Sequence, residues 1–170
     1  MSNYFPMSDK DLTKTAHQVA AIVNKDATPQ MVSQALKRYA RGFNSYIVTL
    51  SQAFTSTSQQ ATVTQNIDSS FGFICKQITE QTIASATDTD RFITSLQLSS
   101  QTSLIQGNFP LALLSRLTGL FQPFEMFWPP NSQIQLGLQN GSTTATATIR
   151  VSFIGFRVPA GFIDEVKAKQ

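Results

Sequence analysis

The chain has 170 residues, of which 41% are hydrophobic and only 14% charged, with a net charge of +3. That length can hold one core without staples; a single cysteine, Cys75, excludes an internal disulfide, and one cysteine with one histidine, His17, excludes the usual zinc sites. Charge falls well below the roughly 25% usual for soluble domains; Gln, Ser and Thr fill the gap, and such a surface is poorly protected against self-association.

Residues 1–7 read as a polar arm with Tyr4, Phe5 and Pro6 as anchors. They form no basic and apolar leader, so no secretory signal is expected. Ser8 caps a first helix with Asp9 and Asp11 in its first turn and Leu12, Ala16, Val19, Ala20 and Val23 on one face. His17 takes a surface position on it and reads as a solvated or interface residue. Thr28-Pro29 starts a second helix. Its apolar stripe runs through Val32, Ala35, Leu36, Tyr39, Phe43, Tyr46, Ile47 and Leu50, reaching toward Phe54, with Gly42 weakening its middle. The stretch Tyr46 to Leu50 also fits a strand. Lys37, Arg38 and Arg41 are the one basic cluster; nucleic acid or an acidic partner fits them, but three charges give a small phosphate term, and a solvated helix face is the favoured reading.

Residues 55–66 are a polar tract, a linker ending in an edge strand at Ala61 to Gln65. The expected division is therefore an arm and helical segment over 1–55 and a β-domain over 56–170. Strands are predicted over 71–78, 91–99, 124–128, 132–139 and 142–158, the last bent near Gly155, and many short strands with turns between them indicate a β-sandwich. Cys75 reads as a buried structural thiol. Asp88 and Asp90 read as turn acids, the segment from Phe109 to Leu120 as a short helix or crossover loop, and Asp164-Glu165 as a solvated pair near the end. Phe124, Phe127, Trp128 and Pro129-Pro130 are the densest aromatic group, read as core with a rigid strand entry rather than as a ligand platform.

The sharpest local prediction is a hairpin. Ile134, Leu136 and Leu138 alternate with polar residues, as do Ala145, Ala147, Ile149, Val151 and Phe153. Asn140-Gly141 between them is the preferred type I′ turn pair. That turn sets Leu138 opposite Thr143, Leu136 opposite Ala145 and Ile134 opposite Ala147.

No phosphate loop and no Gly-x-Ser-x-Gly elbow is present. No apolar run approaches the roughly 18 residues of a membrane span. Neither enzyme chemistry nor a cofactor or metal is expected.

The succession Ile67-Asp-Ser-Ser-Phe-Gly-Phe-Ile74, Phe92-Ile-Thr-Ser-Leu-Gln-Leu-Ser99, Phe127-Trp-Pro-Pro-Asn-Ser-Gln-Ile134 and Val151-Ser-Phe-Ile-Gly-Phe-Arg-Val158 resembles small β-sandwich virion proteins of bacteriophages, over about residues 61–158. The resemblance implies a mainly β, antiparallel, jelly-roll-like sandwich, here preceded by an arm and two helices. It also implies a structural protein of the shell, a minor capsid component or a decoration protein. Such a protein would be made in the host cytoplasm and reside in the virion, where it would contact other virion proteins and copies of itself. Assembly contacts are expected at Tyr4, Phe5, Lys37, Arg38, Tyr39 and Arg41. The competing expectation is a carbohydrate- or ligand-binding module using Phe127 and Trp128.

Overall fold

The computed structural model describes residues 7–55, 59–84, 90–99, 102–116, 126–143 and 146–168. Its two opening helices begin where their caps predict. In α1 (Asp9–Val23) the Ser8 hydroxyl oxygen accepts the Asp11 N–H at 3.2 Å. In α2 (Pro29–Tyr39) Thr28 Oγ1 accepts the Met31 N–H at 3.3 Å, and Pro29 fills a position that needs no donor. A single 3₁₀ turn, Ala40–Gly42, ends the helical part.

The helical reading up to Phe54 is corrected at this point. Residues Asn44–Phe54 form β1, with Val48, Leu50 and Phe54 buried on one face. The β-branched and aromatic run wins because a strand partner is available to bury that alternate face. The expected boundary at 55/56 falls between β1 and the next strand, so both sides of it contribute strands to one sandwich.

The remaining elements are β2 (Gln59–Asn66), β3 (Phe71–Ala84), β4 (Arg91–Ser99), β5 (Thr102–Pro110), α3 (Leu111–Arg116), β6 (Met126–Trp128), β7 (Gln133–Asn140), β8 (Ala147–Pro159) and α4 (Ala160–Lys167). The fold is mainly β: two four-stranded antiparallel sheets ordered β1-β8-β3-β6 and β2-β7-β4-β5. The outermost strands in sequence pair with each other, β1 with β8, and the scheme continues inward through β2 with β7, β3 with β6 and β4 with β5.

The predicted hairpin is therefore absent, since β7 and β8 lie in different sheets. Leu136 sits opposite Val63 and Leu96, and Ala147 opposite Phe54 and Ala84; Ala145 lies outside the described residues. Asn140 and Gly141 do not adopt the positive φ of a type I′ turn, which among the described residues is confined to Asn131 and Gly107. Instead Gly141 donates its N–H to the Asp90 carbonyl at 2.6 Å, and Asn140 Oδ1 accepts the Ser142 N–H at 3.3 Å. The chain there crosses from one sheet to the other.

Between the sheets lies the main core. It joins Ile134, Leu136 and Leu138 of β7 to Ile149, Val151 and Phe153 of β8, with Trp128 stacked on Phe73 at 5.8 Å. A second core lies on the outer face of the first sheet. Ile74, Phe127 and Val158 there meet Ala16 and Val19 of α1, Val32 and Ala35 of α2, and Phe162, Ile163 and Val166 of α4. One end of that sheet is thus buried on both faces, as strands with apolar residues at successive positions require. Within it, β3 carries one extra residue between Cys75 and Gln77 relative to β8. Gly155 lies opposite this bulge, where a Cβ would overlap the Ile74 carbonyl.

Candidate functional site

Sheet edges expose unpaired backbone donors and acceptors, and proteins usually guard them with charge or proline. Here the edge strands β1, β2, β5 and β6 contain no Asp, Glu, Lys, Arg or His. The charges carried by strands sit on interior ones: Lys76 and Glu80 on β3, Arg91 on β4, and Arg150 and Arg157 on β8. β5 ends on Pro110, whereas β1 and β2 contain no proline. β2 is exposed except at Ala61 and Val63, which are half-buried against the core. On β1, Ile47 is 60% exposed.

A cleft of about 460 Å³ opens at the end of the sandwich, lined by Tyr46, Gln65, Asn66, Asp68, Ser70, Phe71 and Arg157. The inward row of β8 runs from Ala147 through Phe153 to Gly155 and ends on Arg157, where the core meets water. The Arg157 guanidinium carbon lies 4.0 Å from the Tyr46 ring centroid and 4.2 Å from that of Phe71. Both rings therefore make cation–π contacts with the guanidinium. Asp68 accepts the Ser70 N–H at 2.8 Å. The Ser70 hydroxyl and that N–H hold the Asp68 carboxyl below its ordinary value, against a slight effect of burial and with added attraction from Arg157. A cation, a carboxylate, two amides and the hydroxyl-bearing Ser70 and Tyr46 thus share one cleft, a set suited to hydroxyl- or carboxylate-bearing ligands.

The residues singled out in the sequence are placed as follows. Tyr4, Phe5 and Asp88 lie outside the described residues. Lys37 and Arg38, at the end of α2, and Arg41, in the 3₁₀ turn, are exposed. Arg38 Nη1 lies 3.2 Å from Glu165 Oε1, with side chains 71% and 11% exposed, so this pair ties α2 to α4. Tyr39 is half-buried against α4, where Gly161 leaves room for its ring. The reading of Asp164-Glu165 as a solvated pair is corrected in part: both belong to α4, where Asp164 is exposed as read but the Glu165 side chain is only 11% exposed. The spacing of Phe162, Ile163 and Val166 after Pro159 was the available signal for this helix.

His17 is exposed on α1. Cys75 is buried, with its S–H donated to the carbonyls of Gln77 and Ile154, and burial pushes its thiol up to about 12. Phe127 and Trp128 belong to the core, as read, and do not form the platform of the competing expectation. Trp128 is 0% exposed, with its Nε1–H donated to the Gln97 carbonyl, and Phe127 is 9% exposed beneath the helices, so neither ring can stack on a ligand. Sequence reasoning missed the Tyr46, Phe71 and Arg157 cluster, because its members lie far apart in the chain and only the sheet register brings them together.

Among the described residues no three His, Cys, Asp or Glu side chains come together in a way that could hold a metal, and no helix is long and apolar enough to cross a membrane. No family model, curated protein or solved structure matches the chain.

Proposed function

We propose that the protein is a virion structural protein of a bacteriophage that acts through protein–protein assembly contacts. The observation that carries this reading is the absence of charge from all four sheet edges. A monomer gains nothing from open, uncharged edges, whereas an assembling subunit uses them. The strand scheme supports the finer reading of the fold as a jelly roll. Pairing β1 with β8, β2 with β7, β3 with β6 and β4 with β5 is what results when one long antiparallel ribbon wraps into two facing sheets. Viral shells and lectins both use that fold, so the step from fold to virion is analogy and the edges argue for the assembling use. Mass spectrometry of purified particles from the source should find the chain in stoichiometric amount. Light scattering should find the purified protein as an oligomer. A monomer at all concentrations, absent from particles, would overturn the proposal.

The cleft favours a second reading, a carbohydrate- or ligand-binding module. It places Arg157, Asp68, Gln65 and Asn66 where sugar hydroxyls could be met. A glycan-array screen with the wild type and Arg157→Ala discriminates: a hit lost in the variant supports this reading, and no hit removes it.

A further inference from the structure

The edge strand that would carry such assembly can be identified, and so can its partner. Ile67 donates its N–H to the Ser132 carbonyl at 2.8 Å, one step beyond the pair Asn66 and Gln133. Bonded positions alternate along an antiparallel ladder. Gln59, Ala61, Val63 and Gln65 therefore direct their backbone groups at β7, and Gln60, Thr62, Thr64 and Asn66 direct theirs at the open edge. An independent contact agrees: Gln65 Nε2 reaches over and donates to the Asn66 carbonyl at 3.1 Å. That carbonyl is occupied by the chain itself, while those of residues 60, 62 and 64 lie on the stretch where another strand can add.

The stretch Gln59-Gln60-Ala61-Thr62-Val63-Thr64-Gln65 is nearly palindromic about Thr62. Reversed on itself, it sets Thr62 opposite Thr62, Ala61 opposite Val63, Gln60 opposite Thr64 and Gln59 opposite Gln65. Each pair joins residues of one face, so Ala61 and Val63, already turned to the core, extend one apolar row across the junction. Each outward-directed backbone group also meets another. A shift of one residue would join opposite faces. A shift that centres the axis on Val63 would set Ala61 opposite Gln65 and would need the Asn66 carbonyl that Gln65 already holds.

We propose that β2 pairs antiparallel with β2 of a second copy of this chain about a two-fold axis at Thr62, joining two four-stranded sheets into one continuous sheet. Such an interface is isologous and closes on itself. It supplies about six backbone hydrogen bonds, two for each of the three bonded pairs. A chain of net charge +3 repels its copy, and the edge itself adds nothing to that repulsion because it carries no charge. The inference rests on the assembly reading and specifies one contact within it.

The test uses the full chain. The two Thr62 Cα atoms of a bonded pair would stand about 5.5 Å apart, inside the range a disulfide spans. Thr62→Cys under mild oxidation should give a covalent dimer of twice the 18.7 kDa chain mass, with buried Cys75 not competing. Gln60→Cys, four positions from its own copy, should give none. Thr62→Lys, which sets two ammonium groups face to face, should shift the native protein to a lower mass in light scattering with unchanged circular dichroism. Efficient cross-linking of Gln60→Cys but not Thr62→Cys would overturn the register. An oligomer of unchanged mass in Thr62→Lys, with no cross-link in either cysteine variant, would overturn the β2 contact and leave assembly to another edge. A wild type that is monomeric throughout would remove the assembly reading itself.

Discussion

Asn24 and Val166 are 142 residues apart, yet the Asn24 side-chain amide donates to the Val166 carbonyl at 2.9 Å in a buried setting. The same amide's oxygen accepts the Asp26 N–H at 3.0 Å, and the Asn24 backbone N–H closes α1 on the Ala20 carbonyl. One side chain thus ends the first helix and receives the last. Replacing Asn24 with Ala leaves a buried carbonyl without that donor, at a cost of about 1–3 kcal/mol. Urea unfolding should show a lower midpoint at unchanged slope.

Gly155 gives a larger effect. Its absent side chain lets β8 close on the β3 bulge, and a Cβ there would collide with the Ile74 carbonyl, which is backbone and cannot rotate away. Gly155→Ala should cost about 3 kcal/mol, the upper end for overpacking. Gly107→Ala, where a Cβ meets nothing within 4 Å but φ is +97°, carries backbone strain without collision, so thermal unfolding of the two variants side by side separates the two costs.

Cys75 predicts a pH dependence. Its thiol has an ordinary value of 9.0 and is pushed up to about 12 by burial. Above pH 9 the unfolded chain therefore releases a proton that the folded chain keeps. Stability from this group is intact below pH 9 and falls as pH rises toward 12, by at most about 1.4 kcal/mol per unit. Cys75→Ala should flatten that part of the profile. At pH 8 only about one native thiol in ten thousand would be ionised, so a thiol reagent should label the protein only after unfolding.

Arg38→Ala should do little. The guanidinium is 71% exposed where it meets Glu165, and such pairs contribute less than about 1 kcal/mol, screened further by salt. A loss above 2 kcal/mol in urea unfolding would show that α2 and α4 depend on the pair rather than on Val32, Ala35, Phe162 and Val166.

Helix starts were legible in the sequence because Ser8 and Thr28 act through neighbours two or three residues away. Strand positions, β5 (Thr102–Pro110) excepted, were legible because alternation reports which side chains face a core. Strand partners were not. The row of Ile134, Leu136 and Leu138 read as the hairpin partner of the row that includes Ala147, Ile149, Val151 and Phe153, because both rows enter the same core. The pattern is identical whether two strands lie side by side or face each other from opposite sheets. Asn140-Gly141 reinforced the wrong choice, since those residues serve equally at a crossing held by Asp90 and Ser142. The run from Tyr46 to Leu50 was ambiguous for a related reason: its partner lies about a hundred residues further on. The cleft shares that obstacle. Nothing near Arg157 announces that Tyr46 and Phe71 will cover it.

The position of β8 bears on how the protein is made. It stands between β1 and β3, the two longest partners in its sheet, and among the eight described strands it comes last in chain order. At about 5–20 residues per second, β1 emerges many seconds before the strand that will hold it. During that interval an uncharged, proline-free segment waits with its backbone unsatisfied on both sides. The nascent chain therefore has to be kept from pairing with its neighbours on the same message until β8 has emerged, and the first sheet closes only then.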